Sequence, residues 1–353
     1  MTTVTETIRS VLTARAAAEG RRLWRLKLPA DVLASALAMA MLVVTVVAPW
    51  MLSDTLPDDH AAAGRREERP PLADIARETL IAGYVGAPFY YRSKLTLQKP
   101  GGTDLRLEGL GWDGDALYFP IDGGVRALRW HGPFGSMIDF MHNKAVPRLN
   151  RGSHGRKLDR GGIEVLFKKV GLAFLLPKPE VDVVDAQGTY KGQPVPARMK
   201  LSDVFERVEF THGHNVLLLT GLARLGALTP SIRPYVGVGA GVAVPHVEVW
   251  HPGDKKDDRT NEYQYAGPAA QLIAGLELRA GRWSYFLEYK FTYAWIRGAL
   301  TGDESWLNSN MPGDLWRQFR RWWSGEPPKL GTFSTNLGAH QVVFGAGYWL
   351  RGR

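Results

Sequence analysis

The sequence predicts an all-β protein, an eight-stranded antiparallel up-and-down transmembrane barrel preceded by an N-terminal apolar helix. Three observations predict this architecture. One stretch alternates apolar and polar side chains without interruption, eight strand-like runs are joined by short and long connections, and the chain begins with a basic and then an apolar segment. Alternation with a period of two is typical of strands. Short connections at one end of the strands and long connections at the other are typical of membrane barrels.

The stretch from Trp283 to Trp295 is the clearest strand in the sequence. Its odd-numbered positions are all aromatic or aliphatic, and its even-numbered positions include Glu288 and Lys290. Because successive side chains of a strand point to opposite faces, one face is a broad apolar stripe. A soluble β-sandwich would bury that stripe under a second sheet, whereas a membrane barrel turns it toward lipid. We interpret the stripe as lipid-facing.

Eight strand-like runs follow one another through the rest of the chain. They lie at residues 80–98, 116–130, 134–146, 204–225, 231–249, 263–279, 283–299 and 333–350. Three connections are tight, at 131–133, 226–230 and 281–282, and four are long, at 99–115, 147–203, 250–262 and 300–332. Short turns at one end and long loops outside the cell are typical of outer-membrane barrels.

The N-terminal residues predict export or membrane anchoring, which together with a barrel indicates the outer membrane of a Gram-negative bacterium. In residues 1–53, basic side chains precede an uncharged apolar run from Val32 to Leu52, which is about the length that spans a bilayer. Such a segment is a signal or an anchor whose basic end stays in the cytoplasm. Ala61 to Ala63 offer a cleavage site, residues 54–78 form a charged linker, and residues 79–353 form the barrel.

Composition excludes several kinds of site. The chain has no cysteine, which excludes thiol catalysis, disulfides and Cys-ligated metals. The glycines of Gly237–Gly241 alternate with small apolar residues inside a strand, whereas a dinucleotide loop must open a helix. Side-chain parity predicts a charged lumen in which opposite charges pair. The predicted inward set is Asp139, Arg207, Glu209, Gln271, Glu277, Glu288 and Lys290.

Four histidines and a glutamate mark a candidate site near the outer rim of three adjacent strands. They are His142, His212, His214, His246 and Glu248. Parity places all five on the face that points away from the lumen, unless a bulge at Pro245 reverses the last two. Imidazole and carboxylate groups at this spacing can converge on one ion or one sugar. The alternative is a set of interfacial polar side chains that contact lipid headgroups.

The fourth long loop predicts a helix at the membrane interface. Leu315, Trp316, Phe319, Trp322 and Trp323 gather on one side at helical spacing, with arginines between them. Cationic groups above the outer leaflet attract lipopolysaccharide phosphates. We therefore expect a substrate-binding set, Lys144, Trp316, Arg317, Arg320 and Arg321, in addition to the basic residues 148–169 of the second loop. Nucleic acid is not an expected partner, because these cations lie beside a membrane stripe.

Several motifs together resemble a known family. They are Gly83–Pro88, Phe210–Asn215, Arg233–Gly241, Pro245–Glu248, Tyr263–Tyr265 and Glu288–Lys290, and the match as a whole covers roughly residues 79–350. These motifs resemble the outer-membrane barrel family that includes the rhizobial lipid A oxidase. The resemblance implies oxygen-dependent oxidation of the proximal glucosamine of lipid A to 2-aminogluconate, with release of hydrogen peroxide. Loop 147–203 is longer than the resemblance leads us to expect.

The implied oxidation needs an electron acceptor, and the chain offers neither a nucleotide fold nor a thiol. A divalent or redox metal ion held by the five candidate residues meets that need, with molecular oxygen as co-substrate. We expect His212, His214 and Glu248 to be catalytic, with an imidazole or Glu248 as general base. Two other functions stay open, a non-enzymatic structural or adhesive barrel and a lipid A deacylase. We expect a monomer whose partners are lipid A and outer-membrane lipid.

Overall fold

A computed structural model describes residues 78–114, 122–147, 183–229, 231–302 and 309–351. The described chain is all-β and mostly antiparallel. Eight long strands are β1 (Glu78–Tyr90), β5 (Gly123–His131), β6 (Phe134–Pro147), β10 (Arg207–Arg224), β11 (Ile232–Ala243), β14 (Gly267–Ala280), β15 (Trp283–Leu300) and β16 (Gly331–Arg351). Shorter strands are β2 (Ser93–Lys99), β3 (Thr103–Leu110), β4 (Trp112–Asp113), β7 (Val183–Tyr190), β8 (Gln193–Pro194), β9 (Arg198–Lys200), β12 (His246–Trp250) and β13 (Thr260–Tyr263). Two α-helices, α1 (Leu201–Val204) and α2 (Met311–Ser324), and a 3-10 turn at Lys256–Asp258 are the other elements of the described residues.

The eight long strands pair as an uneven ring. Each pairs antiparallel with the next in the order β1, β5, β6, β10, β11, β14, β15 and β16, and β16 pairs back with β1. The pairing of β15 with β16 runs from Trp283 to Leu300, whereas β1 pairs with β5 only from Thr79 to Val85. Beyond its contact with β1, the end of β16 pairs with β2, so the sheet continues outward through β3 and β7.

Each strand-like run predicted from the sequence contains one strand of the ring. The tight connections at 131–133 and 281–282 are confirmed, because His131 pairs with Phe134 and Ala280 pairs with Trp283. Two runs are interrupted. The run 80–98 divides into β1 and β2, and the run 231–249 divides into β11 and β12. After each interruption the chain keeps one ring partner, β16 for β2 and β10 for β12. On its other side it takes a new partner outside the ring, β3 or β13.

The apolar stripe lies on the surface of the described chain, not under a second layer. Trp283, Leu287 and Trp295 are 51%, 54% and 47% exposed, and the intervening Ser284, Glu288 and Lys290 are buried. The other ring strands repeat this alternation, and their exposed apolar side chains include Ile81, Val85, Val125, Ile138, Val238, Leu272, Val342 and Phe344. The face opposite the stripe is therefore the interior of the ring.

Opposite charges pair in the interior near the tight connections, as parity predicts. Lys290 Nζ donates to Asp139 Oδ2 at 2.7 Å, and Arg126 Nη1 donates to Glu288 Oε2 at 2.8 Å. The hydroxyl groups of Tyr84 and Tyr235 donate to these two carboxylates, both at 2.8 Å. Gln271 and Glu277 are also buried on this side. Each charged group in this network therefore has an opposite charge within reach, which offsets its loss of hydration.

An apolar core fills the interior at the opposite end. Its members include Leu95, Leu107, Trp112, Met141, Val208, Phe210, Val247, Ile296 and Phe333. The segments predicted as long loops supply part of it through β3 and β7, so these loops contain strands as well as connections. Among the described residues, neither helix is long and apolar enough to cross a membrane.

Glycines make room for large neighbours inside the ring. A Cβ on Gly237 would lie 2.6 Å from Leu222 Cδ2 and 2.8 Å from Ile273 Cγ1. The run Gly237–Gly241 lies within β11, which agrees with the exclusion of a dinucleotide loop. The predicted N-terminal helix and cleavage site, the linker up to residue 77, and the basic residues 148–169 of the second loop lie outside the described residues.

Candidate metal centre

A short sheet beside the ring positions the candidate site. β12 leaves the ring after β11 and pairs with the first residues of β10 on one side and with β13 on the other. Val208 pairs with Val249, and both side chains lie in the apolar core. The next pair is Glu209 with Glu248, whose side chains therefore point to the opposite face. Polar groups of β10 and β12 are thus collected on the face away from the core.

A bulge in β10 brings His212 toward this face. Phe210 pairs with Ala145 of β6 but His214 pairs with Asn143, so β10 contains extra residues between them. Gly213 has φ +123, a conformation that side chains with a Cβ rarely adopt. The extra residues let Phe210 and His214 both face the interior while His212 turns outward. Parity could not anticipate this change, because it assumes an uninterrupted strand.

Three of the five predicted ligands converge, and we call them the His–Glu cluster: His212, His246 and Glu248. Their ligand atoms all lie within 4.8 Å of one another. His212 Nδ1 is 2.5 Å from Glu248 Oε1, and His246 Nδ1 is 3.4 Å from the same oxygen. Glu248 and His246 are buried, whereas the side chain of His212 is 37% exposed. The cluster therefore has one open side.

Arg207 fixes the second oxygen of the central carboxylate. Its Nη1 donates to Glu248 Oε2 at 2.6 Å and lies 3.4 Å from Glu209 Oε1. Burial raises the pKa of Glu248, but the hydrogen bond to His212 and the charge of Arg207 hold this pKa below its usual value. The hydrogen bond to Glu248 raises the pKa of His212 in spite of its partial burial. Glu248 is therefore an anion throughout the physiological range.

A hydrogen-bond chain sets the proton position on His246. His246 Nε2 lies 3.0 Å from Ser309 Oγ, and Ser309 Oγ donates to Asp314 Oδ2 at 2.8 Å. A hydroxyl has one proton, so Ser309 must accept from His246 when it donates to the Asp314 carboxylate. The proton of a neutral His246 then lies on Nε2, and its Nδ1 lone pair faces Glu248.

Unpartnered acceptors point into the same space. Within the described part of the chain, His246 Nδ1 and Asn261 Oδ1 are buried and have no hydrogen-bond partner. Asn261 pairs directly with Glu248 across β12 and β13, so the two side chains share a face. Buried acceptors that face a carboxylate are costly unless a cation or a proton lies between them. The donor set, two imidazoles and a carboxylate with an open side, fits a metal ion.

The other two predicted ligands lie elsewhere. His142 Nδ1 is 2.8 Å from Asn215 Oδ1, which engages one of its two ring nitrogens outside the cluster. His214 is 1% exposed and packs against Tyr90 and Phe210, so the expectation that it points away from the interior is wrong. Arg207 and Glu209 were expected in the lumen, and this expectation is also wrong, because they lie on the polar face beside Glu248.

The predicted substrate-binding residues divide into two groups. Lys144 is buried and its Nζ donates to Asp122 Oδ1 at 2.9 Å, so it does not reach the surface. The predicted helix is confirmed as α2, and Trp316 and Arg320 are exposed on it. Arg321 pairs with Glu262 at 2.8 Å, and Arg317 pairs with Asp314. Arg321 therefore contributes to the docking of α2, whereas the pair of Arg317 lies within the helix.

Four further residues complete the site, and sequence reasoning did not assign them to it. They are Asn261, Tyr263, Ser309 and Asp314. A helix-start signal was present, since Asn310 caps α2, Pro312 follows and Asp314 lies in the first turn. That signal locates where the helix begins but not which strand it docks on. Asn261 lies on β13, most of which the sequence predicted as part of a loop, and Tyr263 was predicted as the first residue of the next strand.

The fold and the site thus define an antiparallel β protein with a candidate metal centre of two imidazoles and a carboxylate. No family model matches the chain, and no curated protein matches it. Among solved structures, the chain is similar to Neisserial surface protein A, with 7% sequence identity and a TM-score of 0.29. The similarity covers 77% of this chain and 96% of that chain. A likeness this distant carries no argument about the present site.

Proposed function

We propose that the ring is an eight-stranded transmembrane barrel in the outer membrane of a Gram-negative bacterium, exported by its N-terminal segment. The exposed stripe supports this placement. From Trp283 to Trp295 the strand rises about 40 Å at about 3.3 Å per residue, and a tilt near 40° reduces the height to about 30 Å. That height matches an apolar band with an aromatic girdle at each edge. Trp283 contacts Tyr348 at one end, and Trp295 contacts Tyr293 at the other.

The site lies at the end of the barrel away from the tight turns. In outer-membrane barrels the short turns face the periplasm, so the His–Glu cluster lies at the outer surface. At that height it meets the sugars and phosphates of the outer leaflet, whose acyl chains extend along the exposed stripe. The substrate class that this position favours is an outer-leaflet glycolipid.

We propose that the protein oxidises the proximal glucosamine of lipid A to 2-aminogluconate, with iron(II) held by His212, His246 and Glu248. The observation that carries the proposal is the set of two imidazoles and one carboxylate with an open side. This donor set is typical of non-haem iron(II) sites that use oxygen. When bound, iron supplies the redox couple through which electrons pass to oxygen.

The oxidation balances with oxygen and water as the other reactants. The sugar loses two electrons and two protons from its anomeric C–H and O–H groups, and one oxygen molecule takes them up to become hydrogen peroxide. Water then opens the resulting lactone to the acid. We assign the acceptance of the hydroxyl proton to Glu209, which pairs with Glu248 across the strands but lies outside the ligand set. Arg207 orients both carboxylates.

Comparison of lipid A from cells with and without the protein tests the proposal. We expect a mass gain of one oxygen in cells that express the native chain, and no gain in cells that express His246→Ala. His340→Ala is a matched control, because His340 lies on the exposed face of β16 and pairs with Phe291. Loss of an acyl chain would instead identify a deacylase, and unchanged lipid A would favour a structural or adhesive barrel.

A deacylase is the second candidate, because the side chains of Ser309, His246 and Glu248 follow one another in space in the order serine, histidine, carboxylate of a hydrolytic triad. The proton position argues against it. A nucleophilic serine donates to the imidazole, whereas Ser309 donates to Asp314, and Glu248 is already held by His212 and Arg207. The hydrogen bonds therefore favour a ligand role for His246.

Ser309→Ala separates the two candidates. An oxidase loses only a residue that orients its ligand, so we expect iron affinity to fall about 10–100-fold and oxidation to persist at saturating iron. Ser324→Ala is the control, since Ser324 caps the other end of α2 by donating to Arg321 O. Complete loss of an ester-cleaving activity in Ser309→Ala would contradict the oxidase and establish the hydrolase.

Iron affinity should increase with pH across the neutral range. A protonated imidazole cannot bind a metal, and the hydrogen bond to Glu248 raises the pKa of His212 above its ordinary value. Below that pKa, His212 is a cation paired with Glu248, and each lower pH unit should weaken binding about tenfold. Above it the affinity levels off. Calorimetric titration in two buffers of different protonation enthalpy would measure the released proton, and binding without proton release would contradict this account.

A further inference from the structure

The helix α2 has its polar face toward the protein and its aromatic face toward the exterior. Asp314 and Gln318 are its buried residues, whereas Trp316, Phe319 and Trp323 are 60%, 40% and 59% exposed. A helix that packs on a soluble domain shows the opposite arrangement, because its apolar side chains face the core. The exposed aromatic rings form one continuous surface, since Phe319 contacts both Trp316 and Trp323.

Directional contacts hold α2 in this orientation. Tyr263 N donates to Asp314 Oδ2 at 2.8 Å. Gln318 accepts from Tyr265 N at 2.8 Å and donates to Tyr265 O at 2.9 Å. Arg321 Nη2 donates to Glu262 Oε1 at 2.8 Å. These residues recur every three or four positions along one face of the helix, so rotation of α2 about its axis would break all of them.

The backbone places α2 beside one end of the exposed stripe. Tyr265 precedes Ala266, whose carbonyl accepts from Arg297 N at 2.7 Å. Arg297 lies two residues beyond Trp295, which belongs to the aromatic girdle at the outer edge of the stripe. Trp322 contacts Tyr265 with ring centroids 5.9 Å apart. The aromatic face of α2 therefore continues from the girdle.

We propose that α2 docks on the outer-leaflet surface of the bilayer, with Trp316, Phe319 and Trp323 among the acyl chains and Arg320 at the lipid phosphates. The proposal rests on the membrane placement proposed above. Two observations favour lipid as the occupant: continuity with the lipid-facing girdle, and the position of Arg320, four residues from Trp316 on the exposed aromatic face. An anionic glycolipid surface complements the charge of Arg320, whereas Arg317 and Arg321 are paired with carboxylates of the protein. Because Asp314 belongs to α2 and holds Ser309, the docked helix also positions His246.

Single-cysteine spin labelling tests the docking, and the chain has no native cysteine to remove. The full chain is reconstituted into nanodiscs that contain anionic lipid, with one nitroxide at Phe319→Cys. Collisions with dissolved oxygen report lipid, and collisions with a water-soluble nickel chelate report water. We expect the oxygen-to-nickel collision ratio at position 319 to exceed the ratio at Lys256→Cys several-fold, because Lys256 is exposed in the turn between β12 and β13.

Phe344→Cys distinguishes the failure of this proposal from the failure of the membrane placement. Phe344 is 58% exposed on β16 within the ring, so its label should be lipid-exposed if the barrel spans the membrane. A lipid-like ratio at 344 with a water-like ratio at 319 would overturn the docking of α2 alone. Exclusion of both reagents at 319 would also overturn it and would indicate a protein partner. A water-like ratio at 344 would overturn both proposals.

Discussion

Replacing Glu248 with glutamine is expected to lower the iron(II) affinity by more than about 100-fold and to remove product formation. Residues that only orient a ligand cost about 10–100-fold, and Glu248 is the central donor of the cluster. Glutamine keeps the shape of the side chain but removes the charge that attracts the cation. Anaerobic titration of the purified chain with iron(II) measures the affinity, and circular dichroism checks that the variant is folded.

Glu277→Gln is the matched control for this substitution. Glu277 is also a buried glutamate on a ring strand, but its partners are Ser284 at 2.7 Å and Arg224 at 3.4 Å, outside the His–Glu cluster. We expect its iron affinity to equal that of the native chain. If Glu248→Gln and Glu277→Gln bind iron equally well, the His–Glu cluster is not the metal site. The proposed iron-dependent oxidation at this cluster is then wrong.

Lys290→Met is expected to destabilise the fold by about 3–5 kcal/mol, the range found when one partner of a buried ion pair is removed. Lys290 is fully buried, and its Nζ donates to Asp139 at 2.7 Å and to Tyr84 at 3.0 Å. Without it, Asp139 keeps only the more distant charge of Arg126, 3.7 Å away. Urea unfolding in detergent micelles, followed by tryptophan emission, measures the change.

Lys94→Met is the control for that change, because Lys94 is an exposed lysine on β2. Substitutions at exposed positions usually change stability by less than about 0.5 kcal/mol. The double variant Lys290→Met with Asp139→Asn should recover part of the loss, since it removes the uncompensated carboxylate. A Lys290→Met variant as stable as Lys94→Met would show that the lumenal charges do not pair as the structure indicates.

The ring of strands was predictable because its signals are local. The alternation around Leu287 requires only that successive side chains face opposite ways, and the tight turns at 131–133 and 281–282 follow from strands that pair with their neighbours in sequence. Asp139 and Lys290 were assigned to the same interior by parity alone, and their 2.7 Å contact follows from closure of the ring.

The candidate site was only partly predictable because it depends on non-local events. The positions of His212, His246 and Glu248 near the same end of adjacent predicted strands correctly predicted that these residues are neighbours. Phe210, His214, Val216 and Leu218 share one face of β10, but that face is the interior, and the bulge turns only His212 away from it. No periodic pattern records the extra residues in one strand. Ser309 reaches His246 through the docking of α2 on β13, which pairs segments that are far apart in sequence.

One assay tests the central proposal, that this protein uses iron to oxidise a glycolipid sugar at the membrane surface. Purified protein is loaded with iron(II) and reconstituted with lipid A that carries a free anomeric hydroxyl. The sample is then exposed to unlabelled molecular oxygen in water enriched in oxygen-18. We predict hydrogen peroxide and a lipid product that has gained one oxygen, with that atom derived from water. A product that has lost an acyl chain, or lipid A of unchanged mass at full iron occupancy, would contradict it.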